Sequence, residues 1–144
     1  CSSDLDFDAL FMVAAVADYK VKEIANEKIK KIDNTDELTL TLVKNPDILK
    51  SACELKEKLC LKTKIIGFCA ESENLLNNAQ EKIAKKGCDY LIANDISRKD
   101  IGFGSNENEV HILSKDGKIK KLEKAPKCII AEEILNEIWS INTK

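Results

Sequence analysis

Leu10-Phe11-Met12-Val13-Ala14-Ala15-Val16 is an unbroken apolar run, fenced by Asp8 before it and Asp18 after it. A short continuous run of this kind reads as a strand covered on both faces, the pattern of a parallel sheet. Its tail, Ala14-Ala15-Val16-Ala17-Asp18-Tyr19, reads as the end of that buried strand, with Asp18 at the rim of a site. Two more runs, Lys64 to Cys69 and Tyr90 to Ala93, have the same texture.

Helical signals separate these runs. Asn45-Pro46-Asp47 suits a helix start: Asn as N-cap, Pro at the first helical position, Asp in the first turn. Ile48, Ala52, Leu55 and Leu59 then recur on one face. A second helix is expected over Asn74 to Lys86, with Leu76, Ala79 and Ile83 inward and Gly87 closing it. Leu38 to Leu42 alternates as a half-buried strand does, and the charged stretch Lys20 to Asp36 before it reads as a loop. Beyond Ile101, Val110 to Leu113 and Ile119 to Leu122 flank an Asp116-Gly117 turn, a hairpin signal. Ile130, Ile134, Ile138 and Ile141 mark a last amphipathic helix over Ile129 to Ile141. The expected fold is α/β: a Rossmann-like parallel sheet with crossover helices and an antiparallel hairpin extension. The 144 residues suit a single domain.

Composition narrows the class. With 44% hydrophobic and 33% charged residues the chain is neither disordered nor membranous, and no run approaches a membrane span. A net charge of −2 argues against nucleic acid as a partner. Six cysteines (Cys1, Cys53, Cys60, Cys69, Cys88 and Cys128) form no C-x-x-C pair, and His111 is the one histidine. That spacing does not suit a metal site. Reduced structural thiols are expected, which places the chain in the cytoplasm.

The strand ends carry the chemistry. In open α/β sheets, ligands bind beyond the carboxyl ends of the strands. Ala17-Asp18, Phe68-Cys69-Ala70-Glu71 and Ala93-Asn94-Asp95 all turn polar as their runs stop. Lys82 and Lys86 share a helix face and have no acidic partner at helical spacing. A bound polyanion would explain them, and so would the helix dipole. Lys28-Ile29-Lys30-Lys31 could close over a phosphate or be solvated surface. A G-x-G-x-x-G or Walker loop is absent, so any nucleotide cradle here is partial. His111 sits in a hairpin strand, where a structural role is expected.

Taken in order, these pieces resemble phosphopantothenoylcysteine synthetase, the CTP-dependent ligase of bacterial coenzyme A synthesis. The matching segments are Ala14 to Tyr19, Lys28 to Lys31, Lys44 to Leu49, Gly67 to Glu71, Lys82 with Lys86 to Asp89, Ile92 to Asp95, and Gly102 to Asn106 with Asn108. The resemblance implies CTP contacts at Met12, Val13, Ala14, Asp18, Lys28, Asn45, Pro46, Asp47, Ile48, Phe68, Lys82 and Lys86. It implies that 4′-phosphopantothenate and L-cysteine are joined through an acyl-cytidylate, with Mg²⁺ accompanying the triphosphate and no metal ligand on the protein. Lys28 would be catalytic, on a flap that closes over the labile intermediate. FMN would belong only to a decarboxylase fused upstream.

The family pattern also has an earlier strand, a glycine loop and an Asn- and Ser-bearing segment, none of which is in this sequence. The chain therefore reads as the C-terminal portion of the synthetase domain, incomplete for catalysis alone. A homodimer is expected, with Val110 to Leu122 and Leu38 to Leu42 pairing across subunits. The second reading is a non-catalytic nucleotide-binding or dimerisation module of the same fold. A third, a Rossmann-type oxidoreductase, lacks its glycine fingerprint.

Overall fold

The computed structural model describes residues 7–24, 27, 38–97 and 104–139. In chain order the elements are β1 (Ala9–Met12), β2 (Tyr19–Val21), β3 (Leu42–Lys44), α1 (Ile48–Lys58), β4 (Lys64–Glu71), α2 (Leu75–Lys86), β5 (Tyr90–Asp95), β6 (Glu107–Ser114), β7 (Ile119–Pro126) and α3 (Lys127–Trp139). They fall into two compact units, Ala14–Ile48 and the remainder, Cys1–Val13 with Leu49–Lys144.

The larger unit holds a five-stranded sheet in the order β1-β4-β5-β6-β7. β1, β4 and β5 run parallel, while β6 and β7 extend the sheet antiparallel. This is the expected Rossmann-like α/β sheet with its hairpin extension. Alternation along the strands sends side chains to both faces. Ile65, Leu91 and Leu113 meet Cys53 of α1 and Ala79 and Ile83 of α2 on one face. Ile66, Ile92 and Ile112 meet Ile130, Ile134 and Ile138 of α3 on the other. Ile66, Leu91, Ile92, Leu113 and Ile138 are essentially fully buried. Each such side chain contributes about 1.5–3 kcal/mol of transfer free energy.

Two features fix how β4 sits. Gly67 lies beneath Leu49: a Cβ built there would stand 2.7 Å from Leu49 Cδ2 and 3.1 Å from Leu91 Cδ1. Asp89, just before β5, accepts Lys56 Nζ at 2.7 and 2.6 Å on its two oxygens and the Ile65 N–H at 2.7 Å. Its own N–H donates to Ile65 O at 3.0 Å, and its carbonyl accepts from Lys115 N–H at 2.9 Å. One residue thus joins α1, β4 and the β6–β7 turn.

Gly87 (φ 77°) ends α2 as its position implies, its N–H donating to Ile83 O. Gly117 (φ 89°) turns the hairpin after Asp116. Both positions need left-handed backbone, which glycine adopts without a Cβ penalty.

Several expectations shift. β1 stops at Met12, and Val13 to Lys20 are exposed, so Ala14 to Tyr19 is not the end of a buried strand. Among the described residues β1 is paired only with β4. The alternating residues Leu38 and Leu40 are exposed and precede a strand that begins at Leu42. α1 starts at Ile48, so Asn45 is not its N-cap and Pro46 precedes its first turn. Its buried face carries Leu49, Ala52 and Cys53, while Ile48, Leu55 and Leu59 are about half exposed. In α2, Leu75 packs inward and Leu76 is the exposed neighbour. Ile141 lies outside the described residues.

The smaller unit is a two-stranded antiparallel ribbon of β2 and β3, with Tyr19 opposite Lys44 and Val21 opposite Leu42. Lys22 N–H extends the ladder to Thr41 O at 2.8 Å. The lysines of the expected flap, Lys28, Lys30 and Lys31, lie outside the described residues. No described helix is long and apolar enough to cross a membrane.

Burial decides which thiols can react. It pushes Cys69 and Cys88 up to about 11 and raises Cys53 as well. A thiol at about 11 carries roughly a hundredfold less thiolate at pH 8 than one at its ordinary value. Cys60 and Cys128 are exposed. Iodoacetamide at pH 8 should therefore label Cys60 and Cys128 at least tenfold faster than Cys53, Cys69 and Cys88, read by peptide mass spectrometry. Equal rates would mean that the core opens readily.

Candidate functional site

A parallel strand pair joined by a helix delivers its carboxyl ends to one edge of the sheet. Here that edge is built from the ends of β4 and β5 and the start of α2. β4 ends Phe68-Cys69-Ala70-Glu71, and β5 ends Asn94-Asp95. Their registers place Ala70 beside Asn94 and Glu71 beside Asp95.

Glu71 organises the α2 side of this edge. Its side chain is 13% exposed. Asn78 Nδ2 donates to its Oε2 at 3.2 Å, and Lys82 Nζ forms an ion pair with its Oε1. Asn78 Nδ2 also donates to Glu73 O at 2.9 Å. Positions 78 and 82 are one helical turn apart, so α2 presents both to the same carboxylate. Lys82 therefore has an acidic partner, though not one at helical spacing. The partner comes from β4, eleven positions back in the chain, where helical periodicity cannot look. The Cys69 thiol sits close enough for Lys82 to lower its pKa and Glu71 to raise it, although burial outweighs both.

The other expected residues of the larger unit are spread along it. Phe68 is half-buried and packs with Ile66 and Ile92 on the α3 side of the sheet. Met12 is in register with Gly67, and exposed Val13 follows it. Lys86 closes the last turn of α2, about 6 Å along the axis beyond Lys82 and further from the strand ends. A cavity of about 270 Å³ between α2 and the β6–β7 turn, lined by Ile83, Ala84, Leu113, Lys118 and Ile119, holds none of the expected site residues.

In the smaller unit two of the expected segments do meet. Asn45 N–H donates to Asp18 O at 2.8 Å, and Asn45 Nδ2 donates to Ala17 O at 2.8 Å. Asn45 thus serves the loop before β2 and does not cap α1. Ala14 and Asp18 are exposed on that loop. Pro46 and Asp47 link β3 to Ile48.

The strand-end residues that periodicity passes over are Asn94 and Asp95. Asp95 Oδ1 accepts Ser97 N–H at 2.8 Å and Ser97 Oγ–H at 2.6 Å, fastening the turn after β5. Ile96 N–H donates to Glu71 O at 3.0 Å. Asn94 Oδ1 is buried and accepts no hydrogen bond. Among the described residues no three His, Cys, Asp or Glu side chains group to hold a metal ion.

Comparison with known proteins gives one consistent result. Residues 2–141 match the family described as DNA/pantothenate metabolism flavoprotein C-terminal domain. The coenzyme A biosynthesis bifunctional protein CoaBC of Borreliella burgdorferi is 44% identical over 134 residues, 92% of this chain and 32% of the relative. Its counterpart in Vibrio vulnificus is 38% identical over 136 residues, 94% of this chain and 33% of the relative. The chain thus spans about a third of the length of the curated relatives it matches. Among solved structures, a crystal structure of the C-terminal domain of a CoaBC protein is 30% identical with a TM-score of 0.66. It covers 91% of this chain, which covers 53% of it.

Proposed function

This chain belongs to the DNA/pantothenate metabolism flavoprotein C-terminal domain family, and from that premise we propose that it forms part of a CTP-dependent ligase of coenzyme A biosynthesis. The observation that carries the reading is the family match over residues 2–141. The named relatives are coenzyme A biosynthesis proteins.

In this reading the carboxylate of 4′-phosphopantothenate attacks the α-phosphorus of CTP. An acyl O–P bond forms, the bond to the β-phosphate oxygen breaks, and pyrophosphate leaves. The amine of L-cysteine then attacks the acyl carbon, losing a proton as the amide C–N bond forms, and CMP leaves. Such chemistry depends on positioning and on neutralising phosphate charge. Lys82 and Lys86 supply cations from α2, and Lys28 supplies one from the flap segment. Met12, Val13 and Phe68 in the larger unit, with Ala14, Asp18 and Asn45 to Ile48 in the smaller, are the proposed nucleotide contacts. Mg²⁺ would travel with the triphosphate. A homodimer and a cytoplasmic setting complete the proposal.

Titration calorimetry tests it. CTP is expected to bind at least tenfold more tightly than ATP, and NADH not to bind. Tight NADH binding would point to an oxidoreductase, and no nucleotide binding at all would leave a non-catalytic module.

A further inference from the structure

Glu71 is the last residue of β4, and Lys82 stands two helical turns into α2. Lys82 Nζ forms an ion pair with Glu71 Oε1. Asn78 Nδ2 donates to the other carboxylate oxygen at 3.2 Å and to Glu73 O at 2.9 Å. A chain of contacts thus runs from the turn before α2, through Asn78 and Glu71, to the Lys82 ammonium. The two ends of the ion pair sit in different surroundings. The Glu71 side chain is 13% exposed and that of Lys82 43%, so the inner partner is enclosed and the outer one reaches solvent. A lysine stem is flexible, and ordering it when a ligand arrives costs affinity. Here the ordering is in place beforehand.

We propose that Glu71 is a positioning residue for phosphate recognition: it fixes the Lys82 ammonium at the carboxyl edge of the sheet, where that ammonium meets a phosphate oxygen of the nucleotide. The assignment rests on the ligase reading above, in which Lys82 is a CTP contact, and adds to it a residue that does not touch the nucleotide. An ionised carboxylate only accepts hydrogen bonds and repels phosphate, so Glu71 can favour binding only through Lys82. An ammonium carries three donors, so it can bridge a carboxylate on one side and a phosphate on the other. Ordering one long side chain in advance is worth about two- to tenfold in affinity. The negative charge of Glu71 works the other way, but its ion pair with Lys82 offsets most of that charge. The hold on Lys82 therefore outweighs the repulsion.

Calorimetry with CTP tests this on the wild-type chain, on Lys82→Gln, and on Glu71→Ala and Glu71→Gln, each made alone and together with Lys82→Gln. Glu71→Ala should weaken CTP binding about five- to tenfold. Glu71→Gln keeps an acceptor for Lys82 and should weaken it only about threefold; should the alanine chain fail to fold, the glutamine chain carries the comparison. In the Lys82→Gln background both changes should move the affinity less than twofold, because the ammonium that Glu71 positions is gone. A merely structural Glu71 would weaken binding by the same factor in both backgrounds and overturn the proposal. Unchanged or tighter binding in Glu71→Ala would overturn it as well. A Lys82→Gln chain that binds CTP as wild type does would remove the contact on which the assignment depends and leave the rest of the ligase reading standing. Failure of the wild-type chain to bind CTP would sink the ligase reading itself, and the assignment with it.

Discussion

Asp89→Ala should destabilise the larger unit by about 2–4 kcal/mol, the largest single-site loss expected outside the apolar core. The Asp89 carboxylate is 26% exposed and the Lys56 ammonium 21%, so neither charge is fully solvated. Removing the carboxylate leaves Lys56 without this partner and strips the Ile65 N–H of its acceptor. The two losses fall on different elements, α1 and β4. Asn in place of Asp keeps one acceptor for the Ile65 N–H and loses the charge, so Asp89→Asn should fall between alanine and wild type. Urea denaturation reads the difference: the midpoint should drop with the slope unchanged. A loss under 0.5 kcal/mol would mean that water takes over both contacts.

Lys82→Gln is expected to weaken CTP binding by about 10–100-fold, the worth of one charged hydrogen bond to phosphate. The same change should cost no more than about 1 kcal/mol of stability, because the Lys82 side chain is 43% exposed and exposed ion pairs contribute little. That split is the diagnostic feature. Calorimetry and chemical denaturation on one preparation give both numbers. Unchanged CTP affinity would show that Lys82 is not a CTP contact. A stability loss above 2 kcal/mol would show that the ion pair is mainly structural.

Local signals in the sequence carried the parts of the fold that short range decides. The Asp116-Gly117 turn, the Gly87 helix end, and the spacing of Ile130, Ile134 and Ile138 were legible because each depends on neighbouring residues alone. The face of α1 was not legible. Apolar spacing favoured Ile48, Leu55 and Leu59, yet the buried side is set by where Leu49 and Cys53 meet the sheet. That is a tertiary contact, and a cysteine acting as a small hydrophobe hides it. The length of β1 was overread for a related reason. An apolar run says that residues avoid water, not how far a neighbouring strand follows them.

The site divides in the same way. Motif order singled out Phe68 and Lys82, but the Lys82 partner lies back across two helical turns and the turn before α2, at the end of β4. No periodic pattern connects Glu71 to Asn78 and Lys82. The approach of Asn45 to Ala17 and Asp18 was hidden similarly, because it depends on β2 and β3 pairing. The unmet hydrogen bond of Asn94 Oδ1 left no trace in the sequence, since it is a property of surroundings.

Gly67 has a meaning beyond tight packing. A sheet with apolar cover on both faces has an ambiguity that a one-sided sheet lacks. Sliding β4 by one position still sends hydrophobic side chains to each face, so polarity alone cannot reject the error. Size can. A side chain there would have to displace the tips of Leu49 and Leu91, and a slip would bring Ile66 or Phe68 into that space. Gly67 therefore acts as a phase marker for the strand. Its missing side chain is the information that tells β4 which way to point, and so which side of the sheet receives Phe68 and which receives Glu71.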